Sequence, residues 1–286
     1  VIASVAYGIE ANSLKNPDGD FRRNGRALFK ASFKRAVDFT SVFFLPQIIR
    51  LVDAKFFTNS QSKFLYSTIT HVMELREQSG VFRNDLIDVL LSFKKQNYPL
   101  DMIVAQAAVF FTAGFETTSS VMSFALYELS KNQDVQDKLR AEIKESLANN
   151  NGEISYEIIN SMEYLKVVVQ EVLRMYPPLP FLDRECKLPN GESGYKLDDK
   201  LEIPNKMPIF IPIYSIQRDP KYFKEPNTFM PERFSDGNKS NQANMPFGIG
   251  PHNCIGERFG LMQAKIGLIS FLKNHKVVAN EKTAKE

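Results

Sequence analysis

The sequence predicts a mainly α-helical protein with a few short strands gathered late in the chain. Apolar residues recur at three- and four-residue spacing over most of its 286 residues. Prolines concentrate between residues 180 and 250, where runs such as MPIFIPIY alternate with turns. Hydrophobic content of 43% beside 24% charged residues provides for a large core, in one big domain or two small ones.

The chain opens on VIASVAYGIEANSL, already apolar-periodic and without an initiator Met, and a partial sequence is the expectation. Helices are expected over 22–39 and 61–78, joined by an unusually aromatic connection, 39–57. RNDLIDVLLSFKKQ, at 83–96, has Asn84 as its expected N-cap and ends in lysines, which suits the helix dipole. Residues 101–132 are apolar nearly all round, which predicts a long central helix buried inside a large protein. An amphipathic, exposed helix follows at 133–150, and another at about 161–176, stopped by Pro177 and Pro178. The last helix starts just after Cys254. There is no internal repeat and no low-complexity tract.

The net charge of +3 favours neither nucleic acid nor acidic substrates. Two cysteines far apart, Cys186 and Cys254, give no disulfide framework, and a reducing compartment is the simpler reading. No run reaches the roughly 18 uncharged apolar residues of a membrane-spanning helix.

Four stretches carry chemistry. In PFGIGPHNCIG, at 246–256, Cys254 sits among three glycines and two prolines. With three histidines in the chain and no CxxC, zinc and thiol–disulfide chemistry lack partners. A single thiolate serving as an axial ligand fits, with Gly248 and Gly250 turning the loop and Pro251 stiffening it. Gly256 would let the following helix lie flat against a planar partner. A buried thiol beside a glycine turn is the alternative. In AGFETT, Gly114 leaves a notch for a flat ligand, Thr117 can bond the Ala113 carbonyl and loosen the helix, and Glu116 is an acid in apolar surroundings. These form a proton-delivery site or a polar patch between helices. In EVLR, Glu171 and Arg174 share a helical face, and Arg233 of PERF could complete a buried Glu–Arg–Arg clamp.

Together these stretches resemble the cytochrome P-450 family. Its haem-loop pattern is met by Phe247, Gly250, Cys254 and Gly256, and its oxygen-side helix pattern by Ala113, Gly114, Glu116 and Thr117. The Glu-x-x-Arg pair is Glu171 and Arg174, and PERF follows in the family's order. The texture of FRRNGRALFKASFKRAV, YPPLPFLDREC and GPHNCIGERFG is most similar to insect microsomal members that oxidise foreign compounds. The resemblance implies one incomplete domain over 1–286: the helix-rich C-terminal part of the cytochrome P-450 fold, with small β-sheets, truncated at both ends. The family's N-terminal anchor and first helices would be absent.

The resemblance further implies haem (heme b, iron protoporphyrin IX) with the Cys254 thiolate as axial ligand, tuned by Phe247. Thr117 with Glu116 would relay protons, while Ala113 and Gly114 line an oxygen groove. Arg184 falls where the family binds a haem propionate. His252 stands in place of a second such arginine, a weaker and pH-sensitive contact. Gln217, in place of a commoner histidine, reads as variation without consequence. The implied activity is a monooxygenase on the cytosolic face of the endoplasmic reticulum. It would insert one atom of O2 into an apolar substrate, with electrons from an NADPH-dependent reductase and cytochrome b5 as a second possible donor. Residues 39–57 would roof the substrate channel, either touching the bilayer or as a hydrophobic lid packed on the core. The rival readings are a haem-thiolate isomerase or dehydratase, a non-catalytic haem-binding fragment, and a cysteine-based redox protein, the last disfavoured for want of a resolving cysteine.

Overall fold

A computed structural model describes residues 1–189, 192–235 and 242–284. By its contacts the chain divides into two compact units, Val1–Glu116 and Thr117–Glu286. One helix, α6 (Leu100–Lys131), runs unbroken through both.

The first unit holds α1 (Ile2–Tyr7), α2 (Asp20–Phe29), α3 (Phe33–Phe43), α4 (Asn59–Ser79), α5 (Leu86–Lys95) and the start of α6. The single helix expected over 22–39 is two. Lys30 leaves helical geometry at ψ 118°, and the Ser32 hydroxyl accepts the Arg35 N–H at 3.2 Å to start α3. A side-chain cap of this kind interrupts a helix without disturbing its apolar period. The cap of α5 is likewise Asp85, not Asn84, which sits one residue earlier at φ 58°. Asp85 and Asp88 form a reciprocal capping box, and Arg76 of α4 spans both carboxylates at 2.9 and 2.7 Å. Tyr7, Ile69, Met73, Ile87, Leu90, Ile103, Ala107 and Phe111 fill the core between these helices.

The connection at 39–57 continues α3 as far as Phe43 and then takes a single 3₁₀ turn, Pro46–Ile48. Phe39, Phe43, Phe56 and Phe57 pack edge-to-face and stacked on one another. Beside them Phe33 and Leu51 are 87% and 85% exposed.

The second unit holds the rest of α6 and α7 (Gln133–Ala148), α8 (Tyr156–Ser161), α9 (Glu163–Met175), α10 (Ile213–Ile216) and α11 (Glu257–Leu272). Strands β1 (Leu182–Glu185) and β4 (Pro208–Ile211) pair antiparallel with Leu182 opposite Ile211. Strands β2 (Gly194–Lys196) and β3 (Glu202–Pro204) form a second antiparallel pair. Leu129, Leu139, Ile143, Leu165, Val168, Val172, Leu268 and Ile269, all 0–1% exposed, make the core. Glu142 of α7 accepts the Tyr164 and Leu165 N–H groups, each at 2.8 Å, and so caps α9 from a neighbouring helix.

The expectation that α6 is buried all round needs correcting. Ile103, Val104, Ala107, Ala108 and Phe111 are buried in the first unit, and Val121, Ala125 and Leu129 in the second. Met102, Gln106, Val109 and Ala113, spaced three and four apart, form an exposed stripe, with Val109 at 58%. Ser123 and Phe124 are exposed further along. Mean apolar content reports how hydrophobic a helix is, not which of its sides are covered. By length and composition α6 could also cross a bilayer, yet its buried residues build the cores of both units.

Candidate functional site

The cysteine loop is built from backbone constraints. Gly248 and Gly250 take left-handed φ values of 74° and 85°, a region that penalises any side chain. The Gly248 N–H bonds the Met245 carbonyl at 2.9 Å, and the Asn253 N–H bonds the Gly250 carbonyl at 3.1 Å. The Cys254 N–H then returns to the Phe247 carbonyl at 2.9 Å and closes the loop. Phe247 is half-buried against the core of the second unit, so the start of the loop is anchored while its tip stays open. Cys254 is exposed and outside any disulfide, two residues before Gly256, the N-cap of α11. Its neighbours His252, Asn253 and Ile255 are exposed as well, Ile255 to 89%.

Gly256 lies beside the sulfur, and a Cβ there would make only ordinary contact with Cys254 Sγ, at 3.9 Å. Gly260 and Gly267 lie seven residues apart on the same side of α11. A Cβ at Gly260 would come within 3.8 Å of Thr118 Oγ1, and one at Gly267 within 2.2 Å of Met122 Sδ. Glycine at 267 thus lets α11 close on Met122 of α6, while a Cβ at Gly260 would make only ordinary contact with Thr118. Strand β1 flanks the loop from another side. A Cβ on Gly248 would lie 3.6 Å from Leu182 Cδ1, and Arg184 follows Leu182 on the same strand face. Arg184 is half-buried, with Nη1 donating to the Asp183 carbonyl at 2.7 Å.

Behind the loop stands the ionic clamp. Glu171 and Arg174 are both 0% exposed. Arg174 Nε and Nη2 donate to the two carboxylate oxygens at 2.8 Å each, the bidentate geometry that suits guanidinium and carboxylate. Arg233 Nε and the Met230 N–H reach Glu171 Oε1, each at 3.0 Å. The remaining Arg233 nitrogens donate to the carbonyls of Lys224, Glu225 and Thr228. The clamp thereby pins the PERF turn and the segment before it to α9.

On α6, Thr117 and Glu116 are half-buried and Ala113 is exposed, and the helix passes through them without a break. The notch expected at Gly114 is filled: a Cβ there would lie 2.6 Å from Ile2 Cδ1 of α1. Glycine at 114 lets two helices approach, and that side of it holds no room for a flat ligand.

Two polar groups, one buried and one half-buried, escaped sequence reasoning. Gln217, 0% exposed, bonds both the end of α9 and the Met245 N–H. It is a junction, not the inconsequential variation expected. Arg218 donates to the Met175 carbonyl at 3.0 Å and lies over the Tyr176 and Tyr214 rings. The side-chain partners of Gln217 lie 28 to 44 residues away and the Met175 carbonyl 43 from Arg218, so no local pattern announces these bonds.

Among the described residues no group of three His, Cys, Asp or Glu side chains is placed to hold a metal. An open thiol with no companion ligands fits an iron whose equatorial ligands come from its own macrocycle. The free surface above Gly250, where a Cβ would meet nothing within 4 Å, and above Gly256 leaves space for a planar group.

The family model of cytochrome P-450 matches residues 1–286. The chain is 47% identical to a Drosophila melanogaster protein described as "Probable cytochrome P-450 6g2", over 99% of the chain and 58% of that protein. It is 41% identical to the "Probable cytochrome P-450 6w1" of the same organism, over 100% and 58%. Against the "Cytochrome P-450 6k1" of Blattella germanica the identity is 38%, over 97% and 57%. The chain therefore spans a little under three-fifths of the length of these relatives. Thiol loop, clamp and family match together place the chain in the cytochrome P-450 family.

Proposed function

We propose that this chain supplies the thiolate loop, the ionic clamp and the proton-handling helix of a haem-thiolate monooxygenase. The observation that carries the reading is the open Cys254 thiol, held in a loop closed by its own N–H on the Phe247 carbonyl. Bound there, haem b supplies reductive activation of O2 and transfer of one oxygen atom to a substrate, the other leaving as water. Cys254 would hold the iron through Sγ as a thiolate, on a loop whose tight turns use the left-handed backbone of Gly248 and Gly250. Phe247 packs behind the loop, excludes water and limits its movement. Arg184, on the strand face beside Gly248, and exposed His252 are the groups offered to the propionates.

Thr117 Oγ1 would hold and pass on the protons that reduction of O2 consumes, and the Glu116 carboxyl would restore them. Ala113 would give O2 an apolar wall, the oxygen-side role that the resemblance implies. Gly114 takes no part in that wall, because Ile2 covers it. The substrates that suit this reading are small and apolar: foreign compounds, insecticides or lipid-like endogenous molecules. An NADPH-dependent reductase supplies the electrons, with cytochrome b5 as a second donor. The exposed aromatic surface at 39–57 rests on the endoplasmic reticulum membrane from its cytosolic side.

Isotopically labelled O2 tests the reading with the haem-loaded protein, its reductase and a panel of apolar substrates. One labelled atom per product molecule is expected. Product that forms without label, and without NADPH use, would establish the isomerase or dehydratase reading instead.

A further inference from the structure

Pro177 and Pro178 follow α9 at the two positions whose N–H groups would bond the carbonyls of Leu173 and Arg174. Proline has no N–H, so both carbonyls need a donor from elsewhere, and both are buried. The Gln217 carboxamide supplies it. Nε2 donates to the Leu173 carbonyl at 3.1 Å and to the Arg174 carbonyl at 2.9 Å, one for each of its two hydrogens. Arg218 Nη2 takes the Met175 carbonyl at 3.0 Å, and the Tyr176 N–H takes that of Val172 at 2.7 Å. All four terminal carbonyls of α9 are thus satisfied. The other end of the same carboxamide faces the cysteine loop: Oε1 accepts the Met245 N–H at 2.9 Å. The Met245 carbonyl in turn holds the Gly248 N–H, at the first left-handed glycine of the loop. The backbone of Gln217 is fixed too, since its carbonyl accepts Arg174 Nη1 at 2.8 Å.

We infer that Gln217 is a positioning residue for Cys254, tying the proline-freed end of α9 to the root of the thiolate loop through Met245. Two donors and one acceptor are required at one buried point, and a primary carboxamide provides them together. An imidazole at this position offers one of each and leaves a carbonyl unpaired. The inference concerns the loop itself and extends to thiolate ligation through the monooxygenase reading above.

Gln217→Met keeps the volume and removes the donors and the acceptor. Amide hydrogen exchange of the whole chain is the first readout. Exchange at Met245, Gly248 and Cys254 should rise at least about tenfold, the ratio expected for one lost buried hydrogen bond. Exchange at Leu139 of α7 should stay within about twofold. The second readout is the haem-loaded protein, in which the thiolate-ligated share of the reduced carbonyl complex should fall. Uniform acceleration across α9, α7 and the loop would mean a general structural role and overturn the inference. Unchanged exchange at Met245 and Cys254 would overturn it as well. Should the variant fail to fold, the wild-type chain decides, because an unprotected Met245 amide contradicts the bond on which the inference rests. A wild-type protein with no thiolate band would refute the monooxygenase reading alone, since the exchange measurement needs no haem.

Discussion

Replacing Glu171 by Gln removes the one negative charge between two guanidiniums. The carboxylate receives four hydrogen bonds, from Arg174 Nε and Nη2, Arg233 Nε and the Met230 N–H. Three of them end on Oε1, so an amide oxygen there keeps those three. The amide NH2 then points at Arg174 Nε, donor against donor. Summing four charge-assisted bonds at about 1.5–3 kcal/mol each would overstate the loss, because most survive in weakened form. The governing cost is a guanidinium, 0% exposed, stripped of its counter-charge. Breaking a buried ion pair from one side costs about 3–5 kcal/mol. A bulk transition averages over both compact units and does not isolate this loss. Amide exchange at Val168 and Val172, both in the core of the second unit, does isolate it. Glu171→Gln should accelerate their exchange by roughly two to four orders of magnitude. Arg174→Met in the same background should recover part of that protection by removing the stranded charge. Acceleration of less than about threefold in Glu171→Gln would show that the clamp does not hold the second unit together.

Three further outcomes follow from the same geometry. Gly25→Ala places a Cβ 2.4 Å from Phe115 Cε2, and a ring packed between helices cannot swing away cheaply. It should destabilise the first unit by about 1–3 kcal/mol, read as faster amide exchange at Ile69 and Leu90 of its core, and unchanged exchange there would contradict the close approach. Burial alone would raise the Asp88 carboxyl pKa, but the N–H groups of Arg83 and Asp85 and the Arg76 guanidinium outweigh it and hold it below the usual range. That contribution is complete above the ordinary carboxylate pKa and is lost as pH falls through the depressed folded value. Asp88→Asn should therefore flatten the acid limb of first-unit stability while lowering it at neutral pH. In the reconstituted enzyme, Thr117→Ala should divert NADPH-derived electrons to peroxide, and unchanged coupling of NADPH use to product would refute the proton-delivery role.

The elements legible in the sequence are those whose signal is local. Glu171 and Arg174 declare themselves by a three-residue spacing on an apolar helix, and the loop glycines by a tight turn around one cysteine. The break between α2 and α3 was hidden because Ser32 caps a new helix while the apolar period runs on across it. At 84–85 two good capping residues compete, and the reciprocal bond with Asp88 decides for Asp85. Gly114 shows the limit of reading a small residue as space, since its neighbour Ile2 lies more than a hundred residues earlier. The same holds for Gln217, whose importance follows from what Pro177 and Pro178 lack and only a distant side chain supplies.

The central claim is that Cys254 is the axial ligand. The most direct measurement is the Soret band of the reduced carbonyl complex of the haem-loaded protein, with and without Cys254→Ala. A strongly red-shifted band that vanishes in the variant is the predicted result, with core protection unchanged because Cys254 is exposed. A wild-type band of the imidazole-ligated kind, or one that persists in Cys254→Ala, would contradict it.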